Sequence, residues 1–249
     1  MAGHSKWANI KHRKAAQDSK KAKVFTKLIK EITVAAKEGG GDPSGNPRLR
    51  TLLEKGRQAN LPIDNVNRAI KKGTGELPGV NYEAHLYEGY GPQGIAVIVE
   101  VLSDNKNRSV GEVRHVFNAY QGNLAEHGAV SWMFEKLGVL RLPELQTFTT
   151  GAGNPTNLTE DSLLELLLEQ EIKDLELAEQ FYHITCPIAQ LEPLKALLQQ
   201  HQIKIESAEV EWLPKNSLEL TGAAADKAVE FLEELDELED VQNVYSNLG

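Results

Sequence analysis

The chain has 249 residues, 41% of them hydrophobic, with a single cysteine, so it is long enough for two or three domains with buried cores and is neither a disordered regulator nor a disulfide-framed secreted domain. The formal charge of −9 hides a split: residues 1–72 carry 17 Lys+Arg against 6 Asp+Glu, and residues 73–249 carry 10 against 30. No run of about 18 apolar residues exists, which argues against a helical membrane span, and the basic start lacks the apolar stretch of a secretory signal.

Residues 1–72 read as three short amphipathic helices around one small core. The first is predicted from near Asp18 to Glu38. At 100° per residue, Phe25, Leu28, Ile29, Ile32 and Ala36 form an apolar stripe, and Lys20, Lys23, Lys27 and Lys30 cluster on the opposite side. Gly39 to Pro47 ends this helix. A second follows Pro47 with Leu49, Leu52, Leu53 and Gly56 inward, and Asn60-Leu61-Pro62 breaks it. A third carries Val66, Ala69 and Ile70, with Lys71 and Lys72 in its last turn, where cations suit the helix dipole. Gly73 to Gly79 reads as a linker.

From Tyr82 the period changes to that of strands. Tyr82–Glu88 and Ile95–Leu102 are predicted to form a hairpin around Gly89 to Gly94, followed by a helix over Asn107–Tyr120. Two strands, Ala129–Glu135 and Val139–Leu142, come next, then a polar loop, Thr147–Thr159. Further elements are a helix at Leu163–Glu169, a strand at Gln180–Thr185, a helix at Leu191–Gln200 and a strand at Ile203–Leu213, long enough to bridge two domains. A helix at Ala223–Leu235 and a strand at Val241–Tyr245 close the chain. This order predicts an α+β, multi-domain protein: a three-helix domain and two small α+β sandwiches with helices on one face of each sheet.

The chemistry concentrates at the start. Between Lys6 and Lys30 there are nine Lys or Arg and one acid, Asp18. A soluble helix face normally mixes signs, whereas polyanion affinity grows with the number of cations on one face. Lys6, Lys11, Arg13, Lys14, Lys20, Lys23, Lys27 and Lys30 are therefore expected to contact phosphates, assisted by Arg48, Arg50, Arg57, Lys71 and Lys72. Asn9 and His12 are candidates for specificity. Trp7 has two readings, a platform for an unpaired base or an anchor that pins the N-terminal arm to the helical core, and the anchor is favoured. Lys106, Arg108 and Arg114 form a secondary candidate contact, beside an N-cap expected at Asp104 or Asn107.

Other features have plainer readings. The glycine-rich stretch Gly89 to Gly94 lies between strands without a following helix or Lys-Ser/Thr, so it reads as an exposed turn rather than a phosphate cradle. The acids from Glu230 to Asp240 read as a solvated face. Cys186 reads as a small buried residue near a strand end. No catalytic or metal-ligating spacing stands out, so no enzyme activity, metal or cofactor is expected.

The motif Met1-Ala-Gly-His-Ser-Lys-Trp-Ala-Asn-Ile-Lys-His-Arg-Lys-Ala-Ala-Gln-Asp, with Phe25-Thr-Lys-Leu28, Ala69-Ile-Lys-Lys-Gly73, Tyr87-Glu-Gly-Tyr-Gly-Pro92 and Val241-Gln-Asn-Val-Tyr245, resembles the YebC/PmpR family over essentially the whole chain. That family comprises probable transcriptional regulators and includes a mitochondrial translational activator. Gln93 stands where a Gly is common. The resemblance implies a helical domain over 1–78, a discontinuous α+β domain over 79–136 and 207–249, and an inserted α+β domain over 137–206. Because it starts at Met1, it also implies a cytoplasmic, bacterial-type member without a transit peptide. The expectation is a non-enzymatic nucleic-acid-binding regulator of gene expression, foremost a DNA-binding transcriptional regulator. The alternative is a factor on ribosomal RNA that eases translation of proline-rich stretches. Neither a membrane nor a small-molecule substrate is expected as a partner.

Overall fold

A computed structural model describes residues 7, 21–79, 81–149 and 155–249. These residues divide into two compact units. One takes in the chain up to Met133 and then Asn216–Gly249; the other is Phe134–Lys215.

The first unit opens with α1 (Lys21–Gly39), α2 (Pro47–Gln58) and α3 (Ile63–Gly73). Leu28, Ile32 and Ala35 of α1 bury against Leu49 and Leu52 of α2 and Val66 and Ala69 of α3. Asn46, itself buried, ties α1 to α2: its side chain caps α2 by accepting from Leu49 N at 3.0 Å and donates to Ala35 O and Gly40 O at 2.8 and 2.9 Å. Gly73 lets the end of α3 lie close against α1, because a Cβ there would stand 2.4 Å from Thr33 O.

The same unit continues with β1 (Glu83–Tyr90), β2 (Ala96–Ser103), α4 (Lys106–Ala119) and β3 (Asn123–Ala125), and is completed by α7 (Gly222–Glu237) and β10 (Val241–Ser246). Its sheet has the order β10-β2-β1-β3, all antiparallel. Val97, Val99 and Val101 alternate onto one face and pack with Val113, Val116 and Phe117 of α4 and Ala228, Phe231, Leu232 and Leu235 of α7. The β1–β2 connection contains a short turn at Pro92–Gly94 in which Gln93 adopts φ 59°, the region where glycine is at ease. The N-cap of α4 is Asn105, which accepts from Arg108 N at 3.1 Å, rather than Asp104 or Asn107.

The second unit contains β4 (Phe134–Pro143), a hairpin of β5 (Thr147–Thr149) and β6 (Pro155–Asn157), α5 (Glu160–Leu167), β7 (Asp174–Ala178), β8 (Phe181–Cys186), α6 (Leu191–Gln200) and β9 (Ser207–Pro214). Its main sheet has the order β7-β8-β4-β9, antiparallel throughout, which with the two helices is a split β-α-β-β-α-β arrangement. Leu163 and Leu167 of α5 and Leu191, Leu194 and Leu198 of α6 cover Leu140, Leu142, Tyr182 and Ile184. Arg141 and Glu211 form a buried two-point ion pair, at 2.7 and 3.0 Å.

The α+β class and the mixed element order are as expected; several details differ. The strands expected at Ala129–Glu135 and Val139–Leu142 are one strand, β4, preceded by a loop, because the backbone N–H groups of Val130 and Ser131 donate to the Glu88 carboxylate instead of to a neighbouring strand. The polar loop from Thr147 contains the β5–β6 hairpin, and its tip, 150–154, is outside the described residues. The strand near Ile203–Leu213 does not bridge domains. Ser207–Pro214 pairs with β4 along its length, so the second unit runs to Lys215 rather than ending at 206. The helical bundle and the first sheet fall within the same one of the two compact units.

Candidate nucleic-acid interface

The lysine stripe of α1 is not an open face. Lys27 Nζ lies 3.1 Å from Asp236 Oδ1 and donates to Gln242 O at 3.1 Å. Lys23 donates to Asp236 O, the carbonyl of the last turn of α7, and stands 3.8 Å from its carboxylate. Lys30 is 4% exposed and donates to Asp240 Oδ1 at 2.7 Å and Glu239 O at 3.1 Å. A helix C-terminus offers unpaired carbonyls and the negative end of its dipole, so three lysines at i, i+4 and i+7 fit it well. The helix α1 is thus packed on both sides, by Leu28, Ile32 and Ala35 toward α2 and α3 and by lysines toward α7 and the segment leading into β10.

Asp240 is the hub of this contact. It is 2% exposed and accepts from Lys30, from Arg108 at 2.7 Å and from the hydroxyls of Ser103 and Ser109 at 2.8 Å each. Burial pushes its carboxyl up, but the four donors outweigh that and hold it well below the usual carboxylate range. Arg108 also pairs with Asp104 at 2.8 Å.

Several expectations are corrected here. Lys23, Lys27 and Lys30 are committed to acidic and carbonyl partners, so they cannot serve as phosphate contacts in this arrangement. Trp7 is no stacking platform: it is 3% exposed, its Nε1 donates to Val244 O at 2.9 Å, and it anchors in the core of the sheet rather than that of the helices. Arg108 is a structural ligand of Asp240. The acidic run is not wholly solvated, since Asp236 and Asp240 are the lysines' partners. Nothing in local spacing singles these two out, because about two hundred residues separate them from α1.

Lys6, Asn9, Lys11, His12, Arg13, Lys14 and Lys20 lie outside the described residues. The remaining candidates are placed on the outward faces of α2 and α3. Residues 47–73 hold seven Lys or Arg against two acids. Arg50 and Arg57 are exposed and, seven residues apart, share one face of α2. Lys71 and Lys72 are exposed in the last turn of α3. Arg48 is exposed and paired with Glu38. Arg68, exposed on α3, joins this set although sequence reasoning passed over it. Lys106 and Arg114 are exposed on α4. Contacts to phosphates position a protein on nucleic acid without reading bases.

Among the described residues, no group of three or more His, Cys, Asp or Glu is placed to hold a metal ion, and no helix is long and apolar enough to cross a membrane. Cys186 is fully buried, and burial pushes its thiol up to about 11.

Comparison with known proteins agrees with this architecture. Residues 5–76 match the profile of the TACO1/YebC protein N-terminal domain, and residues 82–248 that of the TACO1/YebC second and third domain. A probable transcriptional regulatory protein from Chlorobaculum parvum is 47% identical over 249 residues, covering 100% of this chain and 95% of that protein. One of the same description from Thermotoga petrophila is 48% identical over 247 residues, covering 99% and 93%. The crystal structure of a conserved hypothetical protein from Aquifex aeolicus superposes with a TM-score of 0.81 at 39% identity, covering 93% of this chain and 91% of that one. From its helical start to its last strand, the chain belongs to the TACO1/YebC family.

Proposed function

We propose that the protein is a non-enzymatic nucleic-acid-binding regulator of gene expression that grips the sugar-phosphate backbone with α2 and α3, and that duplex DNA in transcription is its target. The observation that carries this reading is the excess of exposed cations on those two helices, in a chain whose residues 73–249 carry 30 Asp+Glu against 10 Lys+Arg. Relatives named as transcriptional regulators support the same reading. Among the described residues, Arg50, Arg57, Lys71 and Lys72 are assigned to phosphates in this proposal, and Lys6, Lys11, Arg13, Lys14 and Lys20 extend them. The acidic remainder repels the same backbone and so restricts how the protein can approach it.

In-cell crosslinking with sequencing of both DNA and RNA tests the proposal. Enrichment of discrete DNA sites supports it. Crosslinks confined to ribosomal RNA would reassign the protein to translation, and no enrichment of either would refute nucleic-acid binding.

A further inference from the structure

The helices α2 and α3 are joined by four residues, Ala59 to Pro62, in a closely tied turn. Asn60 takes φ 59°, a left-handed conformation that asparagine tolerates better than most residues and that commonly ends a helix. Leu61 N donates to Gly56 O at 2.8 Å, and the Leu61 side chain is buried in the helical core. Pro62 then fixes the backbone at the entry to α3. Helices of 12 and 11 residues around so short a turn have the dimensions of a helix-turn-helix.

The outward face of α3 carries more than cations. Val66 and Ala69 are buried in the helical core. Asp64, Asn67, Arg68 and Lys71, all exposed, fall within about 100° of one another on the other side. At the start of the helix Ile63 is 67% exposed. A helix selected only for its buried face is best served by good helix formers outside. Asparagine is a poor one, and an exposed isoleucine keeps its apolar surface in water. Packing therefore explains neither Asn67 nor Ile63. An amide, a guanidinium, a carboxylate and an apolar tip are, however, the groups that distinguish base pairs: they suit adenine, guanine, cytosine and the thymine methyl respectively.

We propose that α3 lies in the major groove of duplex DNA and that Asn67 and Arg68 read base edges there. The inference rests on the duplex reading above and adds base recognition to contacts that otherwise only position the protein. An α-helix with its side chains is about 10–12 Å across, which fits the roughly 12 Å major groove and not the ~6 Å minor groove. The major groove of an RNA duplex is too narrow to be read in this way. Asn67 carries no charge, so phosphate attraction is not what it adds. Lys71 and Lys72 in the last turn of α3, with Arg50 and Arg57 on α2, supply the backbone attraction that holds the helix in place.

The test uses the full chain and selection from a DNA duplex library with a randomised core. Anisotropy then follows binding to the selected duplex, a scrambled DNA duplex and the selected sequence as duplex RNA. The wild type should enrich one motif and prefer the selected DNA duplex to both others. Arg68→Lys keeps the charge but loses the two-point fork. It should lose roughly fivefold to a hundredfold of affinity for the selected duplex, with no change on the scrambled one. Asn67→Ala should do the same at a different base pair of the motif. Arg50→Glu/Arg57→Glu should instead weaken both DNA duplexes alike. If the wild type binds DNA duplexes but enriches no motif, or if either variant of α3 binds the selected duplex as the wild type does, the groove assignment is refuted and the backbone reading survives. Equal affinity for the RNA and DNA duplexes would refute the groove assignment as well. If no duplex is bound at low salt, both readings fall.

Discussion

The Lys30 ammonium lies 2.7 Å from the Asp240 carboxylate, and both side chains are almost fully buried. This contact joins the first long helix to the turn just before the last strand, 210 residues away. It turns a helix face that looks made for polyanions into an internal seam.

Breaking the pair from one side leaves a buried charge without its partner. Asp240→Asn or Lys30→Ala should each cost about 3–5 kcal/mol of stability, read from urea unfolding midpoints. The paired replacement Lys30→Met/Asp240→Leu should cost much less than the two single changes together, because no orphaned charge remains between those two positions.

The same carboxylate sets an acid limit. Its folded-state pKa is depressed, so its contribution is fully present above the ordinary aspartate value and is lost as pH falls below roughly 4 toward the folded value. Stability measured from pH 6 downward should decline in the wild type, and Asp240→Asn should flatten that decline. An identical slope in both proteins would contradict the assignment.

Glu88 predicts a local effect. Glu88→Gln keeps the shape but removes the charge that the N–H groups of Gly128, Val130 and Ser131 share, and Gln also brings a donor that faces them. Charge-assisted bonds are worth about 1.5–3 kcal/mol, so hydrogen exchange at Gly128, Val130 and Ser131 should accelerate by one to two orders of magnitude, while amides of α1 keep their protection.

Nucleic-acid affinity should follow the exposed cations. Charge reversal at Arg50, Arg57, Lys71 and Lys72 should leave the fold intact and lower the slope of log affinity against log salt by roughly 3–4. Reversal at Lys23, Lys27 and Lys30 should instead lower the melting temperature, because their partners are Asp236, Asp240 and the carbonyls around the end of α7. Melting curves and salt titrations on both sets separate a structural cation from a binding one.

Cys186 should be inert. With its thiol pushed up to about 11 by burial, it should react with a thiol-specific reagent at pH 8 only after denaturation. Rapid labelling of the native protein would show that the β8 core opens readily.

Much of this protein is written in local pattern. The amphipathic period of the three helices, the alternation of Val97, Val99 and Val101 and the breaks at Gly39 to Pro47 and Asn60-Leu61-Pro62 all express neighbour-to-neighbour preferences, and the elements they predict are found. The strands β3 and β7 escaped because three to five residues hold too little periodicity to register. Sequence alone also determined that opposite charges are segregated along the chain.

Only the tertiary structure decided how those charges meet. Spacing along a helix says which lysines share a face, but not whether that face meets water, phosphate or a carboxylate brought from two hundred residues away. The fold sets Asp236, in the last turn of α7, and Asp240, in the turn before β10, against α1, and desolvation then makes that pairing part of the core. Trp7 is placed for the same reason: its ring is enclosed by a sheet assembled from distant segments.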